Sequence, residues 1–161
     1  MDPDAIIRKM TPVDLDNLKQ IIDLSFPRFF RFFATHSLCE AGQVLVIEEK
    51  KAVVGFVKLI DFHVGGGKFG CILWLAVQPQ FRRKGVANAL VKAGVEYLEQ
   101  DGARAVFASV QSRNTASLAV FSLQCFGRMG FLGLWRLFGW RVFQFYREIW
   151  FAPGEIVLMR D

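Results

Sequence analysis

Three stretches follow one another without a break at residues 71–100: CILWLAV, QPQFRRKG and VANALVKAGVEYLEQ. The first is apolar throughout and reads as a strand. The third places Val86, Leu90, Val91, Val95 and Leu98 on one side of a helix, which the QDG ending in Gly102 should stop. Between them Arg82, Arg83 and Lys84 run directly into Gly85. The first amides of a helix have no intrahelical partner and sit at the positive end of its dipole, so an anion is welcome there. Gly85 can take a backbone conformation closed to other residues, and Ala87 is small. The amides of residues 83–87 can therefore point at two linked phosphates, with Arg82 adding charge. A solvated basic turn whose glycine only sets geometry is the plain alternative. The strand before it and the amphipathic helix after it count against that alternative.

The rest of the chain spells a mixed order. AIIRKM reads as a first strand; in the helix that follows, Thr11 caps, Pro12 takes the first position, and Val13, Leu15, Leu18, Ile21, Ile22 and Leu24 form the apolar face. QVLVIEE and AVVGFVKLIDF, joined by a tight KK, make two antiparallel strands, and the glycines at 65–67 turn the chain into the strand at 71–77. RAVFASV is a further strand, TASLAVFSLQCF a helix, VFQFYREIW the sixth strand and GEIVLMRD the closing one, while LGLWRLFGW looks like a helical insertion. The expected architecture is α/β (mixed α+β) around a central, largely antiparallel sheet of six to seven strands. At 161 residues and 53% hydrophobic content, the chain should form one domain over residues 1–161.

A net charge of +5 favours an anionic partner without naming it. The three cysteines, Cys39, Cys71 and Cys125, form no C-x-x-C pair, which fits a reducing cytoplasm better than a disulfide framework. The start MDPDAIIRKM lacks an apolar leader core, and the longest apolar runs are too short to span a bilayer.

At Arg82, Gly85 and Ala87 the chain resembles the GNAT superfamily of acetyl-CoA-dependent N-acetyltransferases, whose signature there is Q/R-x-x-G-x-G/A. The resemblance extends to IIRKMTPVDLDNLKQII, AVVGFVKL, LAVQPQF, Asn114, the MGF at 129–131 and the final IVLMRD. It implies a GNAT-like sheet with splayed fourth and fifth strands and about four helices. It also implies acetyl-CoA as co-substrate, with its pyrophosphate on Arg82, Arg83, Lys84, Gly85, Val86 and Ala87. The backbone of Leu75, Ala76 and Val77 would pair with the pantetheine arm, and Asn114 would hydrogen-bond the cofactor; an ordinary helix cap is the alternative for Asn114. The implied reaction is direct attack of a neutral primary amine, of a small molecule or a protein, on the thioester. A backbone N–H at residues 75–77 would stabilise the oxyanion.

Two departures bear on the chemistry. Phe121 stands on the cofactor side where many relatives carry a tyrosine that protonates the thiolate, and phenylalanine has no proton to give. About five extra residues before the later GF bring Cys125 forward as a substitute acid, against a buried inert cysteine. Where relatives have a glutamate base, this chain has Cys71. If the hairpin centres on Gly66, Asp61 faces Cys71 and becomes the candidate base, with His63 on the same face. Ordinary strand-end and turn positions are the alternatives for both. His36 and Cys39 share an i, i+3 spacing, but two ligands make no metal site, and no metal is inferred.

Residues 26–36, FPRFFRFFATH, and 131–151, dense in aromatics with Arg136, Arg141 and Arg147, leave the family pattern. Core and sheet packing is the first reading of the second segment. An acceptor pocket, a homodimer contact and an interfacial patch on anionic lipid are the sharper ones, with membrane contact ranked low. No nucleic-acid partner is expected. The function read from the resemblance is an N-acetyltransferase; the alternative is a non-catalytic acyl-CoA sensor or a module that binds a partner or membrane surface on the same fold.

Overall fold

The computed structural model describes residues 4–161; the first three residues, part of the acidic start read against a leader, lie outside the described residues. The element order is β1 (Ile6–Lys9), α1 (Leu15–Ser25), α2 (Arg28–Ser37), β2 (Gln43–Glu49), β3 (Ala52–Val64), β4 (Gly67–Val77), α3 (Val86–Gln100), β5 (Val106–Gln111), α4 (Thr115–Leu123), β6 (Gly127–Met129), α5 (Phe131–Phe138), α6 (Val142–Glu148) and β7 (Glu155–Arg160). The strands form one seven-stranded sheet in the order β1-β2-β3-β4-β5-β7-β6. The sheet is mostly antiparallel, with β4 and β5 as its parallel pair. This is the mixed α/β fold expected from the sequence.

Two expectations need correction. Residues 142–150 are not the sixth strand: Val142, Phe145 and Ile149 are buried at helical spacing, and α6 occupies 142–148. The sixth strand is the three-residue β6, too short to show a period of its own. With α2 and α6 added to the four helices read from the sequence, the described residues hold α1 to α6.

The residues gather into two compact units, and β3, β4 and α3 contribute to both. In the first, formed by the chain up to Leu59 with Trp74–Gly94, β1 and β3 flank β2. Leu18, Ile21 and Ile22 of α1 and Ala34 of α2 bury against Val44, Val46 and Phe56. Val13 and Leu24, assigned to the buried face by sequence, are instead 83% and 61% exposed.

The start of α1 is tied down by a carboxylate. After Thr11 the chain makes one 3-10 turn, Pro12–Asp14, and the Asp14 carboxylate accepts from the Thr11 N–H and hydroxyl at 2.8 Å each. It also accepts from Arg8 Nη1 at 2.7 Å and Nη2 at 2.9 Å, and Arg8 continues to Glu48 of β2. The hydrogen bonds from Arg8 are the main reason the Asp14 carboxyl is held well below the usual carboxylate range, against the opposing effect of burial. Asp14→Ala should cost about 2 kcal/mol at neutral pH, because the charge-assisted hydrogen bonds from half-buried Arg8 lose their acceptor. A carboxyl with a depressed folded-state pKa stabilises above its unfolded value of about 4 and loses that contribution as pH falls below it. Urea unfolding should therefore show the gap between Asp14→Ala and wild type closing as pH is lowered through that range.

In the second unit, Ile60–Leu73 with Val95–Asp161, the β3–β4 hairpin turns on Gly65 and Gly66. Their φ values of 61° and 79° suit the mirror-image turn that matches strand twist. One face of this hairpin receives Leu98 of α3: a Cβ on Gly70 would lie 2.8 Å from the Leu98 side chain. On the other face Phe62, Phe69 and Phe107 pack with Phe138 of α5 and Phe145 of α6.

Candidate functional site

The turn from β4 into α3 lies wholly within the first unit. Gln78 anchors its start, with its amide donating to the Val54 carbonyl at 2.9 Å and its side chain to the Val53 carbonyl at 3.0 Å. After the 3-10 turn Pro79–Phe81, Arg83 and Gly85 adopt left-handed φ values of 59° and 84°. Alternation of this kind directs successive amides toward one concavity. The first helical bond of α3 joins the Ala89 amide to the Gly85 carbonyl at 3.0 Å. The amides of Val86, Ala87 and Asn88 thus belong to the open first turn, as helix geometry requires. A Cβ on Gly85 would meet no atom within 4 Å, so the turn is uncrowded at this residue.

Arg82 does something the sequence did not reveal. Its Nε donates to the Val77 carbonyl at 3.0 Å and its Nη2 to the Ser25 hydroxyl at 3.2 Å. It clasps the turn to the end of β4 and to the last residue of α1. Lys84 lies over the Phe81 ring, 5.1 Å from its centroid. Ala76 and Val77 are buried and Leu75 is half-buried, at the end of β4 that leads into this turn. Beside them Trp74 meets the rings of Phe26 and Phe30 edge-on at 5.3 and 6.3 Å, and its indole nitrogen is buried. Nothing in the spacing of Phe26, Phe30 and Trp74 along the chain signals this grouping.

The other candidate cofactor and catalytic residues lie in the second unit. Parallel pairing joins Gly70, Cys71 and Ile72 of β4 to Val106, Phe107 and Ala108 of β5. Asn114 caps α4: its Oδ1 accepts from the Ser117 amide at 3.1 Å. Phe121 is buried and packs edge-on against Phe126 at 5.0 Å. Cys125 is exposed, on the turn after α4, with a left-handed φ of 63°.

The expected facing of Asp61 and Cys71 is overturned. The turn occupies residues 65 and 66 rather than centring on Gly66, and a one-residue offset exchanges the faces of a strand. Cys71 joins Phe62 and Val64 in the aromatic core, where burial pushes its thiol far up and leaves it inert. Asp61 and His63 alternate with those residues and are exposed. Lys68 joins Asp61 at 3.5 Å and Asp101, just beyond α3, at 2.6 Å. The His63 carbonyl accepts from Gln144 of α6 at 3.1 Å. His36 pairs with Glu40 at 3.1 Å. A cleft of about 330 Å³ opens beside β6 and β7, and sequence reasoning missed it; Phe131, Tyr146, Phe151 and Glu155 line it. Burial raises the Tyr146 hydroxyl above its usual value.

Comparison with known proteins bears on the family and the fold. The model of the acetyltransferase (GNAT) family matches residues 15–127. Mycothiol acetyltransferase of Renibacterium salmoninarum is 28% identical over 90 residues, covering 55% of this chain and 27% of that protein. The chain therefore spans about a quarter of the length of that curated relative. Among solved structures, the PaiA N-acetyltransferase of Thermoplasma acidophilum, in complex with coenzyme A, superposes with a TM-score of 0.70 at 12% identity, covering 98% of both chains. Arabidopsis thaliana NAA60, in complex with acetyl-CoA, gives 0.69 at 19% identity and 97% of both. At such identities the two structures speak for the fold.

Proposed function

Because the chain belongs to the acetyltransferase (GNAT) family, we propose that it transfers the acetyl group of acetyl-CoA directly to a primary amine of a small molecule or protein. The observation that carries this reading is the turn at residues 82–87, where left-handed Arg83 and Gly85 lead into the unpaired amides of a long helix. In this reading the residues from Arg82 to Ala87 hold the pyrophosphate. The backbone of Leu75, Ala76 and Val77 pairs with the pantetheine arm and supplies the oxyanion donor. Asn114, whose Oδ1 caps α4, would hydrogen-bond the cofactor as the family resemblance implies. Phe121, buried and without a proton, contributes shape alone. The coenzyme A and acetyl-CoA complexes of the two solved relatives support the choice of donor. The free cysteines accord with a reducing compartment.

Two measurements test the proposal. Calorimetric titration with acetyl-CoA should show micromolar binding, and thiol release should then depend on an added amine. A folded protein that binds no acetyl-CoA removes the reading. Binding without turnover on any amine of a broad library turns it into the acyl-CoA sensor. The proton-handling roles of Asp61, His63 and Cys125 are proposals on the same footing, and all three occupy exposed positions. For each, removal as Asp61→Asn, His63→Gln or Cys125→Ala should lower the rate by about 100-fold and displace a limb of the pH–rate profile. An unchanged profile assigns the proton to solvent.

A further inference from the structure

The segment from α5 to α6 carries large apolar side chains both inward and outward. Inward, Leu134 and Phe138 of α5 and Val142, Phe145 and Ile149 in and after α6 are buried in the aromatic core. Outward, Leu132 and Leu137 of α5 are 73% and 47% exposed, Trp140 in the 3-10 turn between the helices 77% and Phe143 of α6 61%. A surface helix ordinarily turns a polar side to water, so a second apolar stripe marks a contact surface. Arg136, Arg141 and Arg147 are exposed among these side chains. Over residues 127–151 the acidic side chain is Glu148, which is bonded to Arg147 at 2.9 Å, against four arginines.

We propose that this outer face of α5 and α6 rests on the surface of an anionic lipid bilayer. Charge decides among the occupants. A second copy of the chain, meeting this face across a two-fold axis, would press the same excess of arginine against itself. An anionic headgroup layer complements it. Leucine has no flat face on which a nucleic-acid base could stack, but it partitions into acyl chains as readily as tryptophan and phenylalanine settle at their boundary. Among the described residues no helix is long and apolar enough to cross a membrane, so the face lies on the bilayer rather than in it. Such a surface would confine the enzyme to amines presented at a membrane. The proposal itself does not rest on the catalytic reading.

The test is co-sedimentation of the full chain with vesicles of phosphatidylcholine containing phosphatidylserine, beside vesicles of phosphatidylcholine alone. Binding should favour the anionic vesicles by about tenfold or more and weaken as salt is raised. The double substitution Trp140→Ser, Phe143→Ser should lose binding about tenfold, and Arg136→Glu with Arg147→Glu should remove the preference for anionic lipid. All four positions are exposed, and far-UV circular dichroism checks that each variant stays folded. Wild type remaining in the supernatant at low salt would overturn the proposal. So would a concentration-dependent dimer in sedimentation that Trp140→Ser, Phe143→Ser dissociates, because the face would then belong to a second copy.

Discussion

Gly85→Glu is expected to abolish acetyl-CoA binding, raising Kd by about 100-fold or more while leaving the fold intact. The reason is charge at short range: a carboxylate on the residue next to the first amides of α3 would repel the phosphates proposed to bind there. Crowding is not the cause, because a Cβ here meets no atom within 4 Å. Gly85→Ala separates the backbone contribution from the charge. With φ at 84°, alanine costs about 1–2 kcal/mol in the left-handed region and should weaken binding modestly by comparison. Calorimetry on the three proteins decides the matter. Glutamate and wild type binding with equal affinity would dissociate the turn from the cofactor.

Phe107→Ala should be the most damaging single substitution in the second unit, at about 3–5 kcal/mol. Phe107 is fully buried on β5, and its ring lies 4.8 Å from that of Phe145, 5.9 Å from Phe69, 6.0 Å from Phe138 and 6.4 Å from Phe62. Truncation removes the ring at the centre of that group and leaves a cavity that strands and helices cannot close. Thermal denaturation should fall by on the order of 10 °C. Phe143→Ala removes the same side chain from a position that is 61% exposed and should change stability by less than about 0.5 kcal/mol. Comparable losses from both would mean that the rings of the α5–α6 region do not divide into an inner and an outer set.

The residues that sequence reasoning placed correctly owe their structure to neighbours in the chain. Val86, Leu90, Val91, Val95 and Leu98 were read as one helical face, and all five are buried. LGLWRLFGW was read as a helical insertion, and α5, Phe131–Phe138, covers most of it. Residues 142–150 misled because their aromatics and alternation favour a strand, while the spacing of Val142, Phe145 and Ile149 that fits α6 was also present. Two periods competed in one short segment, and packing against β3 to β5 chose between them. At the candidate site, Asn114 as a cap was legible because its partner lies three residues away. The bond from Arg82 to Ser25 crosses 57 positions and left no trace in any local pattern.

By itself, then, the sequence determined the strand, the glycine turn and the helix at residues 71–100, on which the proposed anion site rests. Those features depend on backbone hydrogen bonds and conformational freedom within a few residues. Tertiary structure alone decided which faces meet. A single residue in the hairpin turn sent Asp61 away from Cys71 because strand side chains alternate. Packing also left one apolar side of α5 and α6 outside the core, because only long-range contacts determine how much of a helix the rest of the chain can cover.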